Sequence, residues 1–253
     1  MEQISDTLDP ATLTVILAIL MFGAWRIGIR LGGGTRTRNG KPPQFDGASM
    51  ALLGLLLAFA FGTSMAKYEQ RRIAVVQDSN AIGDFYTCAT LLREPVRSKL
   101  QTVIRGYAQR RLSLARESRS SLNLENALAE FRQMHDQMTM LVDQALSGGT
   151  PIAVSLTNTL NALTSNHAAR LAAIRDRLPG SIVALLFVST IVTTILIGRN
   201  QGFSGSVDPS GVLCFVLLVS FAIYVTLDLN RPDRGFIRVS QEPIERLISS
   251  MQK

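Results

Sequence analysis

The sequence predicts an all-α membrane protein: four transmembrane helices, with a long helical insert between the second and the third. Three observations carry this. Hydrophobic residues make up 47% of the 253 residues and charged residues only 18%, against about 25% in ordinary soluble domains. Four apolar windows, at 11–31, 48–66, 181–198 and 211–229, approach the roughly 20 residues needed to cross a 30 Å hydrocarbon layer. The stretch between the second and third windows, 67–180, has little Gly or Pro and no strand-like alternation. Together these exclude disorder, collagen and fibrous coiled coil.

The first window ends its apolar run at Trp25, and Arg26 and Arg30 follow one turn apart. They fit a helix end at the interface, with the indole in the aromatic belt and the guanidiniums reaching for headgroups. The N-terminus carries Glu2, Asp6 and Asp9 and no basic residue, which argues against a cleaved signal peptide. After the second window nothing breaks a helix until Gly83. One helix is therefore expected to leave the bilayer and run on, the competing reading being a break at Gly62-Thr63-Ser64. In the insert, apolar residues recur at helical spacing (Val96, Leu100, Val103, Ile104 and Tyr107 are one such series), with breaks at Glu94-Pro95, Ser118 to Ser121 and Gly148 to Pro151. About four helices outside the membrane are expected. The fourth window is the most apolar: between Val212 and Leu227 only Cys214, Ser220, Ala222, Tyr224 and Thr226 are not Val, Leu, Ile or Phe, which favours insertion by roughly 3 to 7 kcal/mol. The expected division is 1–66 (tail and first two spans), 67–180 (insert), 181–229 (last two spans) and 230–253 (C-terminal tail).

Several functions are disfavoured by what the chain lacks. A net charge of +7 and a pI near 10.0 would suggest nucleic acid in a soluble protein, but the basic residues form no stripe, so no nucleic-acid partner is expected. His135 and His167 stand far apart with no Cys or paired carboxylates at ligand spacing; both are read as helix-surface residues, and no metal is expected. Cys88 and Cys214 read as packing residues, and Gly32-Gly33-Gly34 as a flexible linker before a basic loop. No phosphate loop, nucleophile elbow or convergent acid and base appears. No catalytic residue and no cofactor are assigned.

Three stretches are distinctive. One runs from Leu52 to Phe59 into Lys67-Tyr68-Glu69-Gln70-Arg71-Arg72 and Asn80-Ala81-Ile82-Gly83. A second is His167-Ala168-Ala169-Arg170-Leu171 through Arg175, Leu178 and Pro179. The third is Leu227-Asp228-Leu229-Asn230-Arg231-Pro232-Asp233-Arg234-Gly235 with Ile237 and Ser240. The chain resembles the bacterial bestrophin-like family over nearly its whole length and is more distantly similar to bestrophin ion channels, whose tyrosine-acid-basic segment after the span resembles Tyr68 to Arg72. Their acidic calcium-binding cluster has no counterpart here, so calcium gating is not carried over.

That resemblance implies a bacterial inner membrane protein whose second span lines the pore of a homo-oligomer, with a pentamer favoured, surrounded by membrane lipid. It also places the insert and both termini in the cytoplasm. Charge alone leaves the orientation open: the total of basic residues near the membrane favours a cytoplasmic insert, and the Arg36, Arg38 and Lys41 loop argues the reverse. Positions four apart share a helix face, so Leu55, Phe59 and Thr63 are read as the pore constriction and Lys67 and Arg71 as a cationic mouth selecting small inorganic anions. Gly54, Ala58 and Gly62 form an adjacent small-residue face for helix packing. The plainer reading is that these residues only meet lipid or neighbouring helices. Asp228 is expected to pair with Arg231 or Arg234 in a capping turn. The alternative function is a non-conducting membrane scaffold or signalling protein whose helical insert binds a cytoplasmic partner.

Overall fold

The computed structural model describes residues 9–34, 45–117, 121–231 and 235–252. The Arg36, Arg38 and Lys41 loop and Arg234 lie outside the described residues, as do the side chains of 45, 46 and 121–124. Regular structure among the described residues is entirely helical: α1 Pro10–Gly33, α2 Phe45–Thr90, α3 Val96–Arg116, α4 Ser121–Ser147, α5 Ala153–Arg175, α6 Gly180–Ser204, α7 Pro209–Leu229 and α8 Glu242–Ser250. Among the described residues four helices are long and apolar enough to cross a membrane, and each contains one of the expected windows. The helix starting at Phe45 passes through Gly62-Thr63-Ser64 without interruption and ends at Thr90. The breaks expected at Glu94-Pro95 and Gly148 to Pro151 both separate helices.

The chain divides into two compact units. The first holds residues 1–68 and 177–237, the second 69–176 and 238–253.

The first unit is built on α1, the start of α2, α6 and α7. Its apolar core joins Leu17, Met21 and Trp25 of α1, Leu53 of α2, Ile197 of α6, and Val212, Val216, Val219, Ile223 and Leu227 of α7. The tightest contact is between α1 and α6, which run parallel: Trp25 lies against Gly198, Gly28 against Ile195 and Arg199, and Gly32 against Arg199 and Phe203. A Cβ on Gly28, Gly32, Gly198 or Gly202 would collide with a carbonyl oxygen of the facing helix. Each helix thus offers a Gly-x-x-x-Gly pair to the other, the device by which membrane helices approach to backbone contact. Trp25 Nε1 donates to Gln201 Oε1 at 3.0 Å beside this contact.

This packing corrects two expectations. Gly32 and Gly33 are the last turn of α1, not a linker. Helix α6 continues to Ser204, past the expected end at Gly198, because Arg199, Gly202 and Phe203 lie against α1; Gly205 then stops it with φ 71°, a conformation that costs glycine little. The buried Thr190 and Thr194 donate to the carbonyls of Leu186 and Thr190, satisfying hydroxyls that have no water to bond.

The second unit packs the latter part of α2 with α3, α4, α5 and α8 around Phe85, Leu100, Ile104, Tyr107, Phe131, Met138, Leu156 and Leu163, all at most 1% exposed. Residues 238–253 are more than a tail. Leu247, Ile248 and Met251 pack on this core, Ile244 is fully buried, and Arg116 pairs with Glu245 at 2.7 Å.

Candidate functional site

Helix α2 positions every residue expected at a pore. Leu55 and Phe59 are 67% and 61% exposed, on the face of α2 that the rest of the chain leaves bare. The Thr63 hydroxyl donates back to the Phe59 carbonyl at 2.9 Å. Lys67 is half-buried. Arg71 departs from the line, being only 4% exposed. The reason is geometric: a step of four residues turns a 3.6-residue helix through about 40° beyond a full turn, so four such steps carry Arg71 to nearly the opposite side from Leu55. Arg71 instead shares a face with the buried Val75, Asp78, Ile82 and Phe85, so it is not a mouth charge alongside Lys67.

The expected packing face is likewise left uncovered by the described residues. Gly54, Ala58 and Gly62 are exposed, and a Cβ on Gly54 or Gly62 would have nothing within 4 Å. Among the described residues, the small-residue contact lies between α1 and α6.

At the C-terminal end of α7, Asp228 is 3% exposed. Its carboxylate accepts from the backbone amides of Phe236 and Ile237 at 2.8 and 2.9 Å. Gly235 lies so close that a Cβ there would be 3.0 Å from Asp228 Oδ1. Two residues on, Asn230 Oδ1 accepts from the Leu178 amide at 2.6 Å, fastening the chain that leads into α6. Asp228 is therefore held by a turn of backbone amides. Asp228 and Asn230 together form a latch at the two helix ends.

The second unit contains a polar centre that sequence reasoning missed. Asp78 of α2 is fully buried. Arg111 of α3 donates to its Oδ1 at 3.1 Å, and Arg170 of α5 donates to its Oδ2 at 2.7 Å. The second amino group of Arg170 donates to Gln241 at 2.8 Å. Arg111 also lies over two aromatic rings, 5.0 Å from the centre of Phe131 and 5.6 Å from that of Tyr107, contacts that favour a desolvated cation. Burial pulls the Arg170 pKa below its usual range, as does the neighbouring Arg111, and Asp78 opposes them.

His135 and His167 correct the reading as separate surface residues. Their rings are 5.2 Å apart, edge to face, both half-buried and both against Tyr107. Burial, followed by Arg111, lowers the His167 pKa to about 4, and burial lowers that of His135. Burial raises the Tyr107 phenol to about 12. The phenol thus keeps its proton, and its oxygen and His167 Nδ1 share a hydrogen bond of 2.9 Å. No group of three or more metal-ligating side chains occurs among the described residues.

A usable signal existed. Asp78 sits seven residues after Arg71 and seven before Phe85 on one helix face, so a carboxylate on an apolar stripe called for buried cations.

A family model described as a bestrophin-like domain matches residues 43–244. The chain belongs to the bestrophin-like family. Neither a curated protein nor a solved structure matches it. For this bestrophin-like chain the matched region takes in α2 to α7, and with them the Asp78 centre and the Asp228 latch.

Proposed function

We propose that the protein is an oligomeric, pentameric ion channel permeable to anions, its pore lined by α2 and its second unit facing the cytoplasm. The observation that carries this reading is the bare face of α2. Only 17% of its apolar window is buried within the chain, against 50% for α7, and that face presents Leu55, Phe59 and Gly62 together. In a membrane this face meets either lipid or other copies around an axis, and membership of a family related to bestrophin channels favours the axis. Apolar rings at Leu55 and Phe59 form a constriction that gates by dewetting. Thr63 adds polarity, and a ring of Lys67 raises local anion concentration. Gly54, Ala58 and Gly62 let neighbouring copies of α2 approach closely.

The parallel course of α1 and α6 puts their N-terminal ends on one side of the membrane, as a chain with its N-terminus and insert in one compartment requires. The test is reconstitution and current recording in asymmetric chloride. A reversal potential that follows the chloride gradient is expected, and so is fivefold symmetry in particles of purified protein. Monomers or dimers that carry no current would replace the channel with a non-conducting scaffold whose helical unit binds a partner.

A further inference from the structure

The Asp78 centre holds two buried cations against one anion. Arg111 and Arg170 are 3% and 4% exposed and share the single carboxylate of Asp78, itself fully buried. Arg111 disfavours the charged form of Arg170, while Asp78 and, after it, the Tyr107 phenol favour it, so Asp78 is the one carboxylate among these groups. Rings of Phe131 and Tyr107 relieve Arg111 in part, but its Nε is buried without a hydrogen-bond partner. A buried cation lacking full compensation is costly, and its remaining N–H is an expensive group to leave unsatisfied.

Both arginines line one small cavity. Its walls are Arg111, Leu114 and Ala115 of α3, Leu128 of α4, and Arg170, Leu171, Ile174 and Arg175 of α5. Its volume is about 30 Å³, room for one or two water-sized groups. Among the described residues, three arginines and no acid line it, the rest of the wall being apolar. Such a wall suits a weakly hydrated ion of one atom better than water, which needs acceptors as well as donors.

We propose that this cavity is a binding site for a single halide ion, chloride in the cell, which completes the charge balance of the Asp78 centre. The site is made entirely by the second unit and holds whether or not the protein conducts.

The experiment measures thermal unfolding of the full chain in detergent, in sodium chloride or bromide against sodium gluconate at equal ionic strength. A saturable halide-specific rise is expected, roughly 5 °C or more at a hundredfold excess over the dissociation constant. Equal midpoints in all three salts would overturn the proposal. Ala115→Leu fills the cavity while replacing none of the arginines that line it, and should abolish the rise. If it retained the full rise, the ion would lie elsewhere and this site would be lost. Arg175→Gln leaves both ion pairs to Asp78 intact, so it remains readable should the leucine variant fail to fold. It should raise the half-saturating halide concentration about tenfold, and an unchanged concentration would count against the site. Bromide anomalous scattering from crystals should place a peak among Arg111, Arg170 and Arg175, whereas peaks only at the surface would refute it.

Discussion

Asp78 is the residue on which most of the second unit's polar chemistry converges. Removing a buried partner leaves its counter-ions uncompensated, a loss of about 3 to 5 kcal/mol. Asp78→Ala should therefore lower the thermal midpoint far more than Glu69→Ala, whose partner Arg72 is 63% exposed and whose pair is worth at most about 1 kcal/mol. Equal losses would mean that the two arginines find water when the carboxylate goes. His167 gives a pH signature. Its folded pKa, about 4, lies below the ordinary value near 6.5, so the unfolded chain binds the proton more readily. Its contribution is complete above pH 6.5 and is lost as pH falls from there towards 4, up to about 3 kcal/mol. Denaturation of the His167→Asn variant between pH 7.5 and 4.5 should show a shallower decline than that of the native chain.

At the scale of elements, two sets of glycines on spanning helices have opposite surroundings, and substitution separates them. Gly198→Leu forces a side chain into the Trp25 backbone and should destabilise the pairing of α1 with α6, seen as faster proteolysis and poorer yield in membranes. Gly54→Ala meets open space within the chain, so the subunit should fold normally. If α2 packs on a neighbouring copy, the same change should lower the oligomer yield. Much of this architecture was legible in the sequence. Long apolar runs mark the spans because lipid tolerates little else, and the lack of Gly or Pro from Thr63 to Ile82 announced the continuity of α2. Arg71 was misplaced because a four-residue line was extended too far along a 3.6-residue helix. The His135, His167 and Tyr107 cluster was invisible because its members lie on three helices and only tertiary packing joins them. The glycine pairs at 28/32 and 198/202 were readable as spacing, but which partner each would choose was not.

For the whole molecule the decisive quantity is the surface that α2 leaves uncovered. Phe59→Ala in a conducting assembly should widen the constriction and raise unitary conductance severalfold, and unchanged conductance would remove Phe59 from the neck. Lys67→Glu should reverse the sign of the mouth and shift selectivity towards cations, read from the reversal potential in asymmetric salt. The glycine contact between α1 and α6 has a consequence for biosynthesis. Its two halves, Gly28 and Gly198 among them, lie far apart along the polypeptide, so α1 enters the bilayer long before the ribosome has made the surface that seats it. Until α6 arrives, the notched side of α1 stands open to lipid or to other nascent chains. Truncations ending before Gly198 should therefore be cleared quickly by membrane proteases, and supplying residues 177–253 as a separate polypeptide should rescue them.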